Sequence, residues 1–180
     1  MSRYGIIVNV DRCAGCFACA VACKEENQVA PGIFWEKIKR NENVRDNVIN
    51  WFRMSCMHCD DPACMKVCPM KAIHKGPHGE VLVDQQPLVV RPAKPHTERT
   101  PGKAEHCTLC VHRTERGLLP ACVEACGIHA MTLVDYDNPT PETAKLIEAA
   151  RPMNEAAGTH PKIRYIARHM DAAKMAVKLG

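Results

Sequence analysis

Aromatic residues are scarce, making up 4% of a 180-residue chain. So few large rings leave little with which to fill a core, and another filler is expected inside. Long apolar runs are missing too, and none approaches the roughly 18–20 residues that span a bilayer. The opening "MSRYGIIVNVDRC" holds no apolar leader stretch, so no secretory signal is visible and a cytoplasmic location is expected. Without an export route of its own, a framework of six disulfides is disfavoured. No basic run is interleaved with stacking aromatics, which argues against nucleic-acid binding.

What is present is cysteine, twelve in all. Disulfides, zinc and iron–sulfur clusters are the chemistries such a count allows. The cysteines fall into three groups: Cys13-x2-Cys16-x2-Cys19-x3-Cys23, Cys56-x2-Cys59-x4-Cys64-x3-Cys68, and Cys107-x2-Cys110-x11-Cys122-x3-Cys126. Each begins C-x2-C and ends C-x3-C, so the chain carries an internal repeat of a metal-binding unit. A structural zinc site takes two ligand pairs separated by a loop; the third group alone fits that, whereas C-x2-C-x2-C would crowd one tetrahedron. Three thiolates at such spacing wrap a cubane cluster, and the fourth cysteine of the run serves a neighbouring cluster. No nucleophile–base pair accompanies these cysteines, which argues against thiol catalysis.

The crossed arrangement assigns Cys13, Cys16, Cys19 and Cys126 to one [4Fe–4S] cluster. Cys107, Cys110, Cys122 and Cys23 form a second. Cys56, Cys59 and Cys64 begin a third. The formal charge of +4 treats all thiols as neutral. Three oxidised clusters would bring the assembled protein to about −2, so sequence charge says little about partners.

Residues 4–10 and 80–84 read as strands, with 130–135 the counterpart of the latter in the repeat. Each C-x3-C suits one helical turn, because positions i and i+4 share a face. Thr140 as N-cap, Pro141 at the first helical position and Glu142 behind it predict a helix over 140–150. Residues 86–103, with four prolines, read as an irregular connector. The last dozen residues read as a short helix or a frayed end.

"DRCAGCFACAVACKEEN", "SCMHCDDPACMKVCP" and "HCTLCVHRTERGLLPACVEAC" resemble the iron–sulfur subunits of the dimethyl-sulfoxide-reductase family of molybdenum enzymes. The similarity runs over roughly residues 4–166. It implies an electron-transfer subunit, not itself an enzyme, docked on a large subunit that carries a molybdenum or tungsten bis-pterin cofactor. A membrane quinone-reactive subunit or a soluble ferredoxin would be a further partner. Subunits of this kind can also be exported folded beside a partner. A free soluble polyferredoxin-type carrier is the competing reading, which the long middle insert and the C-terminal segment count against.

Family members usually carry four cysteine groups. Here "QQPLVVRPAKPH" stands where another group would follow "VLVD". The small subunit of pyrogallol–phloroglucinol transhydroxylase is similar in having lost a cluster this way. Cys56, Cys59 and Cys64 therefore lack the usual fourth ligand, and the simplest closure is Cys68 turning inward. Asp84, His96 or His106 is the alternative. Gly127 stands where a proline commonly follows the last cysteine, freeing one N–H that can raise a cluster potential.

The expected fold is α+β: two ferredoxin-like [4Fe–4S] modules with an inserted loop region and a C-terminal helical tail. Residues 1–30 plus 100–139 would hold two clusters and 55–99 one. Residues 31–54 form an insert and candidate docking region, and 140–180 the helix and tail. His58 and His112 are candidates for hydrogen bonds to cluster sulfur, or else packing residues. Lys24, Arg113 and Arg116 either offset cluster charge or are solvated. Trp35, Trp51 and Phe52 pack, or shape the docking insert.

Overall fold

The computed structural model describes residues 2–43, 48–84 and 104–168. In chain order come β1 (Tyr4–Asn9), α1 (Ala18–Glu26), β2 (Lys37–Asn43), β3 (Val48–Met54), α2 (Ala63–Val67), β4 (Ile73–Lys75) and β5 (Val81–Val83). They are followed by α3 (Val111–Thr114), α4 (Ala121–Glu124), β6 (Met131–Asp135), α5 (Pro141–Ala149), β7 (Arg151–Pro152) and β8 (Ile163–Ile166). Helices and sheets are mixed, as the α+β expectation requires.

The β-branched run Ile6-Ile7-Val8 suits a strand buried on both faces, and β1 is one. β6 runs antiparallel beside it, with Ile6 opposite Leu133. β8 runs parallel on its other side, with Ile6 opposite Ile163, and β7 completes the order β6-β1-β8-β7. Ile6 and Val8 face a core that contains Cys19, Cys122 and Cys126. Ile7 and Val134 face the opposite way, onto Ala150 with Leu146 and Ile147 of α5. Burying each such aliphatic side chain is worth about 1.5–3 kcal/mol. Thiols occupy core positions that larger domains give to rings.

α5 begins as its sequence predicts: Thr143 N–H donates to Thr140 Oγ1 at 3.2 Å, and Pro141 is the first helical residue. β5 forms a hairpin with β4, Val83 opposite Ile73. Two features differ from expectation. The insert at 31–54 is not a loop but largely a β2–β3 hairpin, Lys39 opposite Phe52. Its charged strand "KIKRNEN" hides the pattern, because Ile38 is its one apolar residue, whereas the partner strand buries Phe52 and Arg53 on its two faces. The 140–180 segment also contributes β8, whose "IRYI" buries Ile163 and Tyr165 in the sheet. The proline-rich connector and residues 169–180 lie outside the described residues, and so do the expectations that fall on them.

Candidate metal centre

The C-x2-C turns share one backbone device. Gly15, His58 and Leu109, each the third residue of its turn, adopt left-handed φ of 66°, 46° and 55°. That twist folds the N–H back toward the first sulfur. His58 N–H meets Cys56 Sγ at 3.5 Å and Leu109 N–H meets Cys107 Sγ at 3.4 Å. Gly15 N–H does the same for Cys13. Such inward N–H groups form a concave anion site, which suits thiolates and sulfide. Glycine is obligatory at the first turn for a further reason: a Cβ on Gly15 would lie 2.3 Å from Trp51 Cδ2.

The structure brings Cys13, Cys16, Cys19 and Cys126 around one cavity, walled by Val8, Ile38 and Met131. A second set gathers at Asn27, whose Nδ2 lies 3.8 Å from Cys23 Sγ and 3.9 Å from Cys110 Sγ. Cys107 raises the pKa of Cys23, and both Cys107 and Cys110 raise that of Cys122, so these sulfurs share one neighbourhood. Residues from the first and third groups thus meet, with α1 packed against α4. Cys59 and Cys64 stand near Cys56, and so does Cys107. Cys68 caps α2 and is half-buried. Asp84 is exposed, and His96 lies outside the described residues. His106 Nδ1 bonds its neighbour Cys107 O at 2.6 Å.

No disulfide joins any of the twelve cysteines. Burial pushes Cys23 and Cys56 up to about 12, and raises Cys13, Cys19, Cys110 and Cys122 as well. Each therefore holds its proton at neutral pH until a metal displaces it. Among the described residues no three Cys, His, Asp or Glu converge on a single metal ion. The first set instead lines one largely apolar cavity.

The 4Fe–4S dicluster domain model matches residues 48–136. One subunit of the tetrathionate reductase of Salmonella typhimurium is 34% identical over 91% of this chain and 72% of its own. The iron–sulfur subunit of the arsenate respiratory reductase of a Shewanella species is 30% identical over 91% of this chain and 96% of its own. One polypeptide of the anaerobic dimethyl sulfoxide reductase of Escherichia coli is 31% identical over 90% and 87%. This chain is an iron–sulfur subunit of the dimethyl-sulfoxide-reductase family. It is a non-catalytic, electron-transferring part of an oxidoreductase complex and binds [4Fe–4S] clusters.

The side chains of the other candidates in the iron–sulfur subunit make the following contacts. His112 Nε2 pairs with Glu26 Oε1 at 2.8 Å. Arg113 joins the same Glu26 at 2.7 Å and also bonds Glu124, tying α1 to α3 and α4. Lys24 Nζ clamps the carbonyls of Val29, Ala30 and Ile33. Arg116 is exposed. His58 is fully buried, its Nδ1 accepting from Val81 N–H at 3.0 Å. Burial, with His106 and nearby cations, holds His58 neutral. Trp51 packs edge-on to Phe17, Phe52 lies against Tyr165, and Trp35 Nε1 donates to Glu105 at 3.1 Å. Sequence reasoning missed Asn27, Glu36 and Arg53. The signal for the last two was a charge set inside an aromatic run, in "FWEK" and "WFRM".

Proposed function

We propose that the subunit relays electrons through three [4Fe–4S] clusters to or from a large catalytic subunit carrying a molybdenum or tungsten bis-pterin cofactor. Cys13, Cys16, Cys19 and Cys126 hold the first cluster; Cys107, Cys110, Cys122 and Cys23 hold the second. Cys56, Cys59, Cys64 and Cys68 hold the third. The observation that carries this reading is the cavity that sulfurs far apart in sequence, Cys13 to Cys19 and Cys126, jointly line. When bound, the clusters supply one-electron chemistry. The chain's residues supply sulfur ligands, N–H groups aimed at that sulfur, and apolar walls that keep water out.

Arg53 stands between the first and second sites, and Cys56 lies close to Cys107 of the second. The sites therefore run first, second, third. Cys16 of the first site and Cys64 of the third are the exposed cysteines. Electrons enter or leave there, one end serving the catalytic subunit and the other a membrane quinone-reactive subunit or soluble ferredoxin. Residues 1–30 with 100–139 form the two-cluster module and 55–99 the one-cluster module. The complex works in the cytoplasm, or beyond it if carried there by its partner.

The test is Cys68→Ala with iron counted in the anaerobically purified complex. Loss of one cluster's iron, with the other two intact, is expected. Retention of all three makes Asp84, His96 or His106 the closing ligand.

A further inference from the structure

Two almost fully buried charged groups lie in the cysteine-lined interior, yet no ligand role uses them. Arg53 of β3 has a side chain 2% exposed, and Glu36, just before β2, one 1% exposed. Arg53 Nε and Nη2 each lie 2.9 Å from Glu36 Oε2. Nη2 also reaches Cys122 Sγ at 3.7 Å, and the guanidinium lines the cavity of Cys13, Cys16, Cys19 and Cys126. The Glu36 carboxylate faces Cys19. Two of the pair's atoms, Arg53 Nη1 and Glu36 Oε1, are buried without a hydrogen-bond partner. Tyr165 Oη donates to Arg53 O at 2.9 Å, so β8 pins the strand that carries the guanidinium.

We propose that Arg53 and Glu36 form a dipole wedged between the first two cluster sites, which sets their reduction potentials apart. The inference rests on the cluster assignment above and goes beyond it. A buried ion pair with one unpartnered N–H is costly unless something accepts that hydrogen. Cluster sulfide or thiolate is the acceptor chemistry that the neighbouring sites would supply. Each reduction adds one negative charge to a cluster, so a nearby cation favours the reduced form and a nearby carboxylate disfavours it. Glu36 hydrogen-bonds with Cys19 of the first site, whereas Arg53 donates to Cys122 of the second; each charge is also felt across the wedge, Glu36 at Cys23 and Cys122 and Arg53 at Cys19. The pair therefore lowers the potential of the first cluster relative to the second. The hairpin insert, whose strand β3 carries Arg53, thereby becomes an electrical part of the relay. Both groups are positioning residues, acting on the clusters through charge and hydrogen bonding.

The experiment is an anaerobic redox titration of the intact complex, followed by electron paramagnetic resonance, with iron counted first. Glu36→Gln keeps the shape and removes the carboxylate. It should raise two cluster midpoints unequally, one by at least tenfold in the reduced-to-oxidised ratio, about 59 mV for one electron. The gap between those two narrows. Adding Arg53→Met to that variant should lower both again, chiefly the one that moved less, while Arg53→Lys in its place restores part of the shift. Full iron content with every midpoint unmoved in Glu36→Gln overturns the proposal. So does an equal shift of all three midpoints, as a remote charge would produce. A wild-type complex short of cluster iron refutes the cluster assignment instead, and the iron count separates the two failures.

Discussion

Around Cys13–Cys23 and Cys107–Cys126 sulfur lies mostly inside the fold, whereas around Cys56–Cys68 none is fully buried. The local motif is the same in both places, down to the left-handed third residue of the C-x2-C turn. What differs is the cover. α4 buries Ala121, Cys122 and Val123 against α1. α2 buries none of its residues, and its Val67 is 77% exposed. Spacing thus determines how sulfurs face one another, but a second group packed against the first determines whether they are shielded. The lone group has no such counterpart among the described residues.

The sharpest way to break this contrast is to remove one ligand from each half. Cys126→Ser should lose one cluster and also undermine the core shared with β1 and β6, costing about 4 kcal/mol, or about 10 °C in Tm. Cys64→Ser should lose one cluster at less than half that cost. Equal falls in Tm, measured by calorimetry under nitrogen, would dissolve the distinction between the buried and exposed halves.

A smaller effect is expected at Gly15. Its φ of +66° costs an L residue about 1–2 kcal/mol, and the new methyl would press on the Trp51 ring. Gly15→Ala should therefore destabilise the protein and lower iron loading of the first site. Gly127→Ala, beside Cys126 with nothing within 4 Å of its added Cβ, should match wild type. Denaturant midpoints of the two variants make the comparison.

The smallest effect is on pH dependence near the lone group. Lys162 is almost fully buried, donating to His78 O, with Lys75 close by. Burial lowers it from an ordinary 10.5 to about 8. Between those values the unfolded state holds more protons than the folded one, so stability should rise as pH climbs through the window. Below pH 8 the lysine is charged in both states, and the cost of burying that charge applies in full. Lys162→Met should flatten the slope between pH 8 and 10.5 in chemical denaturation, and an unchanged slope would assign it to other groups.

The sequence made the three cysteine groups and the Thr140-capped helix legible. These depend on spacing and local hydrogen bonds, which a sequence displays directly. β8 escaped because "KIRYI" is short and follows "GTHP", with a buried lysine at its start that mimics a surface residue. The hairpin escaped because its first strand offers Ile38 as its one apolar residue. Arg53 escaped for the deeper reason that a buried charge announces itself only through its partners, and Glu36 lies seventeen positions away. His112 drew attention through its place in the motif, yet α1 supplies its partner from far upstream.

β1 is the first strand made and lies between two of the later ones, β6 and β8. Its edges can be paired only after residue 166 has left the ribosome. At roughly 5–20 residues per second, the thiols of the first group wait about 7–30 s for the rest of their fold. During that interval they are open to oxidation and mispairing. The central place of the N-terminal strand thus makes cluster delivery a late event, and makes an oxygen-poor, thiol-reducing surrounding a condition of the protein's birth.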